Sequence, residues 1–442
     1  MCESNSFAMF DIPAPILRPR HVVIIGGGAG GVELALRLGR GVCRCVAQIT
    51  LIDRNMAHFW KPRLHEVAAG LEGGGSGEVS YHALARHNGF EFQLGTLIHA
   101  DPLAKTVTID AATSDDGESE LLAQRTLEYD LLVFALGSRV NDFGVPGVIE
   151  HCHMLDNVRQ ARALQRRLMR AAVKASAGSN EQLRVAIVGA GATGVELAAE
   201  LHHAAFAAHR YGALGNPRLL SISLIDQAAT VLPGAHPKTS ARALTKLRDL
   251  GVNVFLGHGV RQASEEGFLL DDGTLVPAQV RIWASGVVGH GVVSSIAELT
   301  LTRGNRIAIN DQLACIGVED VYALGDCAAS GEAPLPTTAQ VAHQQAAFLA
   351  RSIKARLYGK RSGIFTYRSR GMVVSLGNGD AAGEFPTRAG KRHLTTRGPI
   401  TKLTYILLSQ MHQATLHGRL RALALFVSDR LRGLSFPPIK LH

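Results

Sequence analysis

Short apolar runs, each ending on a glycine cluster or an acid, recur along the chain in one order and then recur again. Residues 22–31, VVIIGGGAGG, return in form as residues 185–194, VAIVGAGATG. In each, a β-branched run of strand length meets G-x-G-x-x-G and then a helix-compatible stretch. Gly26 and Gly189 stand 163 positions apart, and GFEFQLG (89–95) matches GVNVFLG (251–257) at an offset of 162. The runs LLVFALGS (131–138), with Gly137 in its small-residue ending, and VRIWASG (280–286) close the two series. A period this long, with the same elements in the same order, predicts two copies of one α/β domain.

The spacing within each copy suits a dinucleotide. The first glycine makes a tight turn, the second lets the backbone approach a pyrophosphate, and the third lets helix and strand pack closely. An acid ending the second strand binds ribose hydroxyls. In the first copy, Gly26, Gly28 and Gly31 lead to ITLIDR and Asp53; in the second, Gly189, Gly191 and Gly194 lead to LSISLIDQ and Asp226. The second interval is ten residues longer, which predicts a helix extended through Tyr211 to Pro217. One such motif alone is a weak signal, open to chance or a plain helix cap. Two in register predict two Rossmann-like dinucleotide-binding domains.

Near the C-terminus the period changes. Apolar residues fall at 403, 407, 411 and 414, then at 416, 420, 423, 427, 431 and 434. Steps of three and four predict an amphipathic helical segment, and the slip of phase near Gly418 predicts two helices or a bend. Arg419, Arg421, Arg430 and Arg432 lie on the other face. From Arg388 onward there are ten Lys or Arg against one acid, Asp429, so the last 55 residues hold the whole net charge of +9. A basic, moderately apolar helix suits an anionic membrane surface, and a dimer-forming or core helix is the alternative.

The length of 442 residues implies two or three domains, and a composition 46% hydrophobic and 19% charged is that of a soluble globular chain. None of the six cysteines forms C-x-x-C or a metal-binding spacing, so a reducing cytosol is expected and no metal. Cys43 and Cys45 read as packing residues. Glu3 and Asp11 stand where a secretory signal would be basic and apolar. No run approaches the roughly 20 apolar residues of a spanning helix.

The segment DVYALGDCAA (320–329) resembles the second flavin motif of the flavoproteins with two dinucleotide-binding domains. That resemblance implies that Asp326 contacts the ribityl chain of FAD; the alternative is an N-cap for the helix expected from Thr338 to Ile353. It also implies an FAD-binding domain at 21–155 and 301–375 and an NADH-binding domain at 156–300; the basic amphipathic pattern leaves 376–442 as a membrane-associating segment. A carboxylate at Asp226, followed by Gln227, Ala228 and Ala229 with no Arg, favours NADH over NADPH.

The segment PTTAQVAHQQ (336–345) resembles the P-T-A-Q-x-A-x-Q-Q segment of type II NADH dehydrogenases. HVVIIGGGAGGVELA (21–35), LIDRNMAHFWKPRLHEVAAG (51–70), VAIVGAGATGVELAAEL (185–201) and ALGDCA (323–328) resemble the same family. The resemblance implies hydride transfer from NADH to FAD and two electrons onward to a membrane quinone, ubiquinone or menaquinone, without proton pumping. It implies that Gln340 and Gln344, four apart on one helix face, line the quinone pocket and donate to its carbonyls. It places Glu196 near the nicotinamide and flavin rings, where a charge favourable to the helix N-terminus is the equal alternative. Glu33 and His343 receive no role. A peripheral enzyme on the cytoplasmic face of the inner membrane follows, with no nucleic acid expected and a homodimer left open. The rivals are a sulfide:quinone oxidoreductase using Cys152 and Cys327, and a flavin redox sensor or electron carrier with a basic tail.

Overall fold

The computed structural model describes residues 18–71, 77–113, 119–174, 182–210, 216, 219–331, 335–377, 379–387 and 393–435. Two five-stranded parallel sheets organise them. The first runs in the order Val321–Ala323, Leu131–Phe134, Arg20–Ile25, Ala47–Asp53, Glu91–Leu94. The second runs His153–Met154, Val280–Trp283, Leu183–Val188, Leu220–Asp226, Asn253–Leu256. Four strands of each sheet correspond in order, so the sequence repeat is a repeat of topology over those four; the outermost strand enters last in the first sheet, at Val321–Ala323, and first in the second, at His153–Met154. Val22, Val23, Ile24, Leu132 and Val133 are fully buried, as β-branched and leucine runs in a sheet covered on both faces must be. The chain leaves the first sheet after Phe134 and comes back to it only at Val321.

Helix Ala29–Gly41 follows the first glycine loop and helix Ala192–Arg210 the second, the latter longer by six residues. The predicted extension through Pro217 lies largely outside the described residues. Helix Ala339–Leu357 packs on Ala29–Gly41 closely enough that a Cβ on Gly30 would meet Leu324 Cδ1 at 2.4 Å and Ala342 Cβ at 3.3 Å. Its N-cap is Thr338, whose hydroxyl accepts from Val341 N at 3.4 Å. Asp326 therefore does not cap this helix.

After the second sheet, strands Met372–Ser375, Ala381–Pro386 and His393–Arg397 form an antiparallel sheet. Helices Pro399–His417 and Arg419–Ser435 are the last elements among the described residues, separated at Gly418, whose φ of +82° is the source of the slip in apolar phase. The first of these helices buries Thr401, His412 and Leu416 and leaves Leu403, Leu407, Leu408 and Met411 exposed. The second buries Ala422 and exposes Leu420, Leu423, Leu425, Val427 and Leu431. Among the described residues no helix is long and apolar enough to cross a membrane.

Cys43 and Cys45 depart from expectation. Both are exposed, in the turn between Gly41 and Ala47, and they are joined to each other as a disulfide. The turn ahead of strand Ala47–Asp53 leaves both exposed and not packed in the core.

Candidate functional site

The two glycine loops are built alike at the level of single atoms. Gly27 N donates to Asp53 Oδ2 at 2.7 Å, and Ala190 N, the equivalent amide, donates to Asp226 Oδ2 at 2.6 Å. A Cβ on Gly31 would stand 1.8 Å from Gly26 O, and one on Gly194 would stand 1.9 Å from Gly189 O. That clash is why the third glycine of each motif has no side chain. Gly26 and Gly189 take φ of +104° and +111° and press against Ala135 and Ala284 of the neighbouring strand. By contrast, Gly28 and Gly191 face open space. Each loop thus presents bare backbone N–H groups at a helix N-terminus, with an acid beneath, and fits a dinucleotide pyrophosphate. Burial pushes the Asp53 carboxyl up, opposed by its bonds from Gly27 N and from Asn55.

At the C-terminal end of the first sheet the returning strand adds a second turn. Gly325 (φ +74°) and Asp326 sit opposite Gly137 (φ +70°), and Ser138 Oγ donates to Asp326 Oδ2 at 2.9 Å. Gln345, which sequence reasoning passed over, holds this turn: its Oε1 accepts from Gly325 N at 2.7 Å. Lys61 Nζ donates to Ser138 O at 3.1 Å from the opposite wall.

Gln340 and Gln344 do share one helix face, and both are engaged with the segment that follows the helix. Gln340 Oε1 accepts from Tyr367 Oη at 3.0 Å and Arg370 N at 2.7 Å, while its Nε2 donates to Gly371 O at 3.2 Å. Gln344 Nε2 donates to Arg368 O at 2.8 Å and its Oε1 accepts from Arg368 N at 3.0 Å. The N–H groups expected to reach a quinone carbonyl are thus half committed to backbone, each NH2 keeping a second hydrogen.

The same segment ends at Glu196. Ser375 N donates to Glu196 Oε1 at 2.9 Å, and Ser375 Oγ donates to Glu200 Oε1 at 3.0 Å while accepting from Lys402 Nζ at 2.7 Å. His65 Nδ1 lies 3.4 Å from Glu196 Oε2. Burial pushes the Glu196 carboxyl up to about 8, against the Ser375 bond and with the negative field of Glu66 and Glu200. At neutral pH it is protonated, so its charge is not what the helix N-terminus gains.

Glu33 is the repeat equivalent of Glu196, and it too is buried against a histidine of another helix, forming a short bond with His343 Nδ1. Here burial, the largest effect, would raise the carboxyl, but His343 and Arg37 together hold it below the usual range. Trp60 lies beside His343, with ring centroids 5.4 Å apart, and stacks on His412 at 3.8 Å. His412 Nε2 is 2.9 Å from His58 Nε2, and His58 Nδ1 is 2.9 Å from Gly27 O. No sequence signal joined these residues, since they come from four separate elements.

Neither Cys152 nor Cys327 is poised as a thiolate. Burial pushes Cys152 up to about 12 and Cys327 up to about 11. Cys327 Sγ points at backbone, 3.2 Å from Leu324 O.

Residues 20–346 match the pyridine nucleotide-disulphide oxidoreductase family. A type II NADH:quinone oxidoreductase of Haemophilus influenzae is 35% identical over 445 residues, which cover 96% of this chain and 100% of the relative. Among solved structures, NDH2 of Plasmodium falciparum in complex with NADH superposes with a TM-score of 0.81 at 18% identity, over 96% of this chain and 100% of that one. A sulfide:quinone oxidoreductase of the hyperthermophilic bacterium Aquifex aeolicus superposes with a TM-score of 0.73 at 19% identity, over 90% and 92%. At these identities the structural likeness is one of fold.

Proposed function

The chain belongs to the type II NADH:quinone oxidoreductases, within the pyridine nucleotide-disulphide oxidoreductase family, and on that premise we propose how its residues divide the reaction. The enzyme moves electrons from NADH to a quinone through a flavin. Bound FAD supplies the chemistry of taking a hydride and releasing two electrons. Binding, orientation and proton supply fall to the protein.

We assign FAD to the loop of Gly26, Gly28 and Gly31, with Asp53 at the ribose and Gly137 and Asp326 along the ribityl chain. NADH takes the loop of Gly189, Gly191 and Gly194, with Asp226 at its ribose. The observation supporting this order is the return of the chain to the first sheet at Val321–Ala323, which brings Asp326 to Ser138 beside the first loop. The domain division is then 21–155 with 301–375 for FAD, 156–300 for NADH, and 376–442 as the C-terminal segment.

On the acceptor side, Gln340 and Gln344 hold the Tyr367–Gly371 segment as one wall of the quinone pocket and turn their remaining N–H groups to the quinone. Glu196 holds a proton on Oε2, the oxygen that Ser375 N does not occupy, and supplies it during quinone reduction. Lys402, linked to Glu200 through Ser375 Oγ, keeps the neighbouring charge balanced. The exposed leucines of the last two helices rest in the interfacial layer of the cytoplasmic face of the membrane, where the basic residues meet anionic headgroups. A homodimer through the same leucines is the competing outcome.

An anaerobic titration tests the whole reading. Holoenzyme should bleach with one equivalent of NADH and recover its flavin absorbance with one equivalent of quinone. Bleaching without recovery would leave a flavin electron carrier and remove the quinone step.

A further inference from the structure

Gly27 O accepts two hydrogen bonds, from Tyr81 Oη at 2.6 Å and from His58 Nδ1 at 2.9 Å. A carbonyl only accepts, so the His58 proton is on Nδ1. Buried His58, lowered to about 4, is neutral at physiological pH and its Nε2 carries a lone pair. His412 Nε2, 2.9 Å away, must therefore be the donor. That fixes both tautomers, and it leaves His412 Nδ1 as a buried acceptor without a partner among the described residues.

His412 sits on helix Pro399–His417, whose last turn is also held where Arg40 donates to the carbonyls of Thr415 and Leu416, each at 3.3 Å. Its ring stacks on Trp60, and His343, bonded to Glu33, lies with its ring centroid 5.4 Å from both. Glu33 belongs to the helix that Gly27 introduces. The contacts form a closed circuit, from Gly27 through His58, His412, Trp60 and His343 to Glu33, and the C-terminal helix enters it at His412.

We infer that His412 is a positioning residue of the quinone half-reaction. Its Nε2–H to His58 and its ring on Trp60 lock the C-terminal helix to the first dinucleotide loop. Trp60 is thereby held beside His343, on the helix that carries Gln340 and Gln344, and the bond of His343 to Glu33 ties that helix to Ala29–Gly41. This rests on the reading of that helix as the quinone side. A helix that exposes leucines outward and joins this circuit inward makes quinone access depend on how firmly it is seated.

The test uses FAD-loaded full-length enzyme and a short-chain quinone. His412→Leu fills much of the ring's volume without a donor, whereas His412→Gln restores an N–H near the position of Nε2. For His412→Leu the quinone KM should rise about tenfold with kcat within about threefold of the parent, and His412→Gln should return KM to within about threefold. Flavin reduction by NADH in stopped flow should be the same in all three proteins. An unchanged KM in His412→Leu, or His412→Gln as impaired as His412→Leu, would overturn the inference. If His412→Leu does not fold, imidazole 15N spectra of the parent enzyme decide. They should show His58 protonated on Nδ1 and His412 on Nε2, and the opposite tautomer in either ring overturns the link. A parent enzyme unable to reduce quinone would instead sink the functional reading and leave the tautomer test standing.

Discussion

Ser375 N donates to Glu196 Oε1 at 2.9 Å, in a fully buried position at the end of the segment that Gln340 and Gln344 grip at its beginning. A single stretch, Tyr367 to Ser375, therefore joins the helix of the quinone motif to the acid of the second dinucleotide copy. With Oε1 occupied by an N–H, the Glu196 proton is confined to Oε2. A carboxyl raised to about 8 is a proton donor below that pH and a spent one above it. The rate of quinone reduction should accordingly fall as pH rises through about 8. Glu196→Gln should lower it by about tenfold or more and flatten the profile. A pH–kcat series on both proteins checks this, and a Glu196→Gln profile that keeps the same inflection would assign the titration to another group.

The grip on that segment can be tested apart from any contact to quinone. Gln340→Leu and Gln344→Leu should slow flavin reoxidation by quinone and spare flavin reduction by NADH. Tyr367→Phe removes the hydroxyl that bonds Gln340 and should reproduce part of the Gln340→Leu defect. Stopped-flow traces in which Tyr367→Phe is indistinguishable from the parent would mean that the amides act on quinone directly.

Selectivity for NADH should rest on Asp226. Its Oδ2 accepts from Ala190 N and its Oδ1 from Ala228 N at 2.8 Å, which fixes the carboxylate; with NADH placed as proposed, it should bond a ribose 2′-OH and repel a 2′-phosphate. Asp226→Ser should cost about tenfold in kcat/KM for NADH, the scale of one charged hydrogen bond, and less for NADPH. Equal kcat/KM for the two nucleotides in the parent enzyme would sink this assignment.

Stability should pass through a maximum near the ordinary histidine pKa. Glu196 is raised above its unfolded value, so the native state binds the extra proton between the two values. Stability from this group is full below about 4.5 and is lost as pH rises through about 8. His58 is lowered from 6.5 to about 4, and His412 and His65 are lowered with it. Their contribution is present above 6.5 and is lost as pH falls towards the folded values. His58 alone accounts for on the order of 3 kcal/mol over its full window. Thermal melts should thus show a modest decline from pH 6.5 to 8 and a steeper one below 6.5. Glu196→Gln should remove the first decline and keep the second, and loss of neither would refute the assignment.

The glycine loops, both strand-terminal acids, the Asp326 turn and the break at Gly418 were legible because each is written in consecutive residues. Their geometry is dictated locally, by a φ that only glycine adopts or a Cβ that would strike a carbonyl. The partners of the buried acids were not legible. His343 for Glu33, and His65, Ser375 and Lys402 around Glu196, arrive from distant elements, and no periodicity marks them. The two glutamines were legible as a helix face but not as a clamp, because their partners lie in an irregular segment from Tyr367 to Gly371. Cys43 and Cys45 were expected to pack because they stand just before the second strand, and position in the sequence did not reveal that the turn there is exposed.

Membrane attachment should reside in the outward leucines and not in the C-terminal region as a whole. The whole net excess of charge lies from Arg388 onward, and each Lys or Arg near an anionic surface contributes on the order of 1 kcal/mol, which salt screens. Burial of Leu403, Leu407, Met411, Leu420, Leu423 and Val427 adds about 25 cal/mol per Å² and resists salt. High salt should therefore release only part of the bound enzyme from anionic vesicles, and detergent should release all of it. Deleting everything from residue 388 is the wrong cut, because helix Pro399–His417 supplies Thr401, Lys402, His412 and Leu416 to the body of the protein. Serine at Leu420, Leu423 and Val427 leaves that packing intact. This variant should keep NADH-driven reduction of a short-chain quinone, bind vesicles weakly, and reduce a long-chain quinone in them slowly. Binding as tight as the parent's, together with a smaller particle in solution, would show that these leucines join two copies of the chain and that the anchor lies elsewhere.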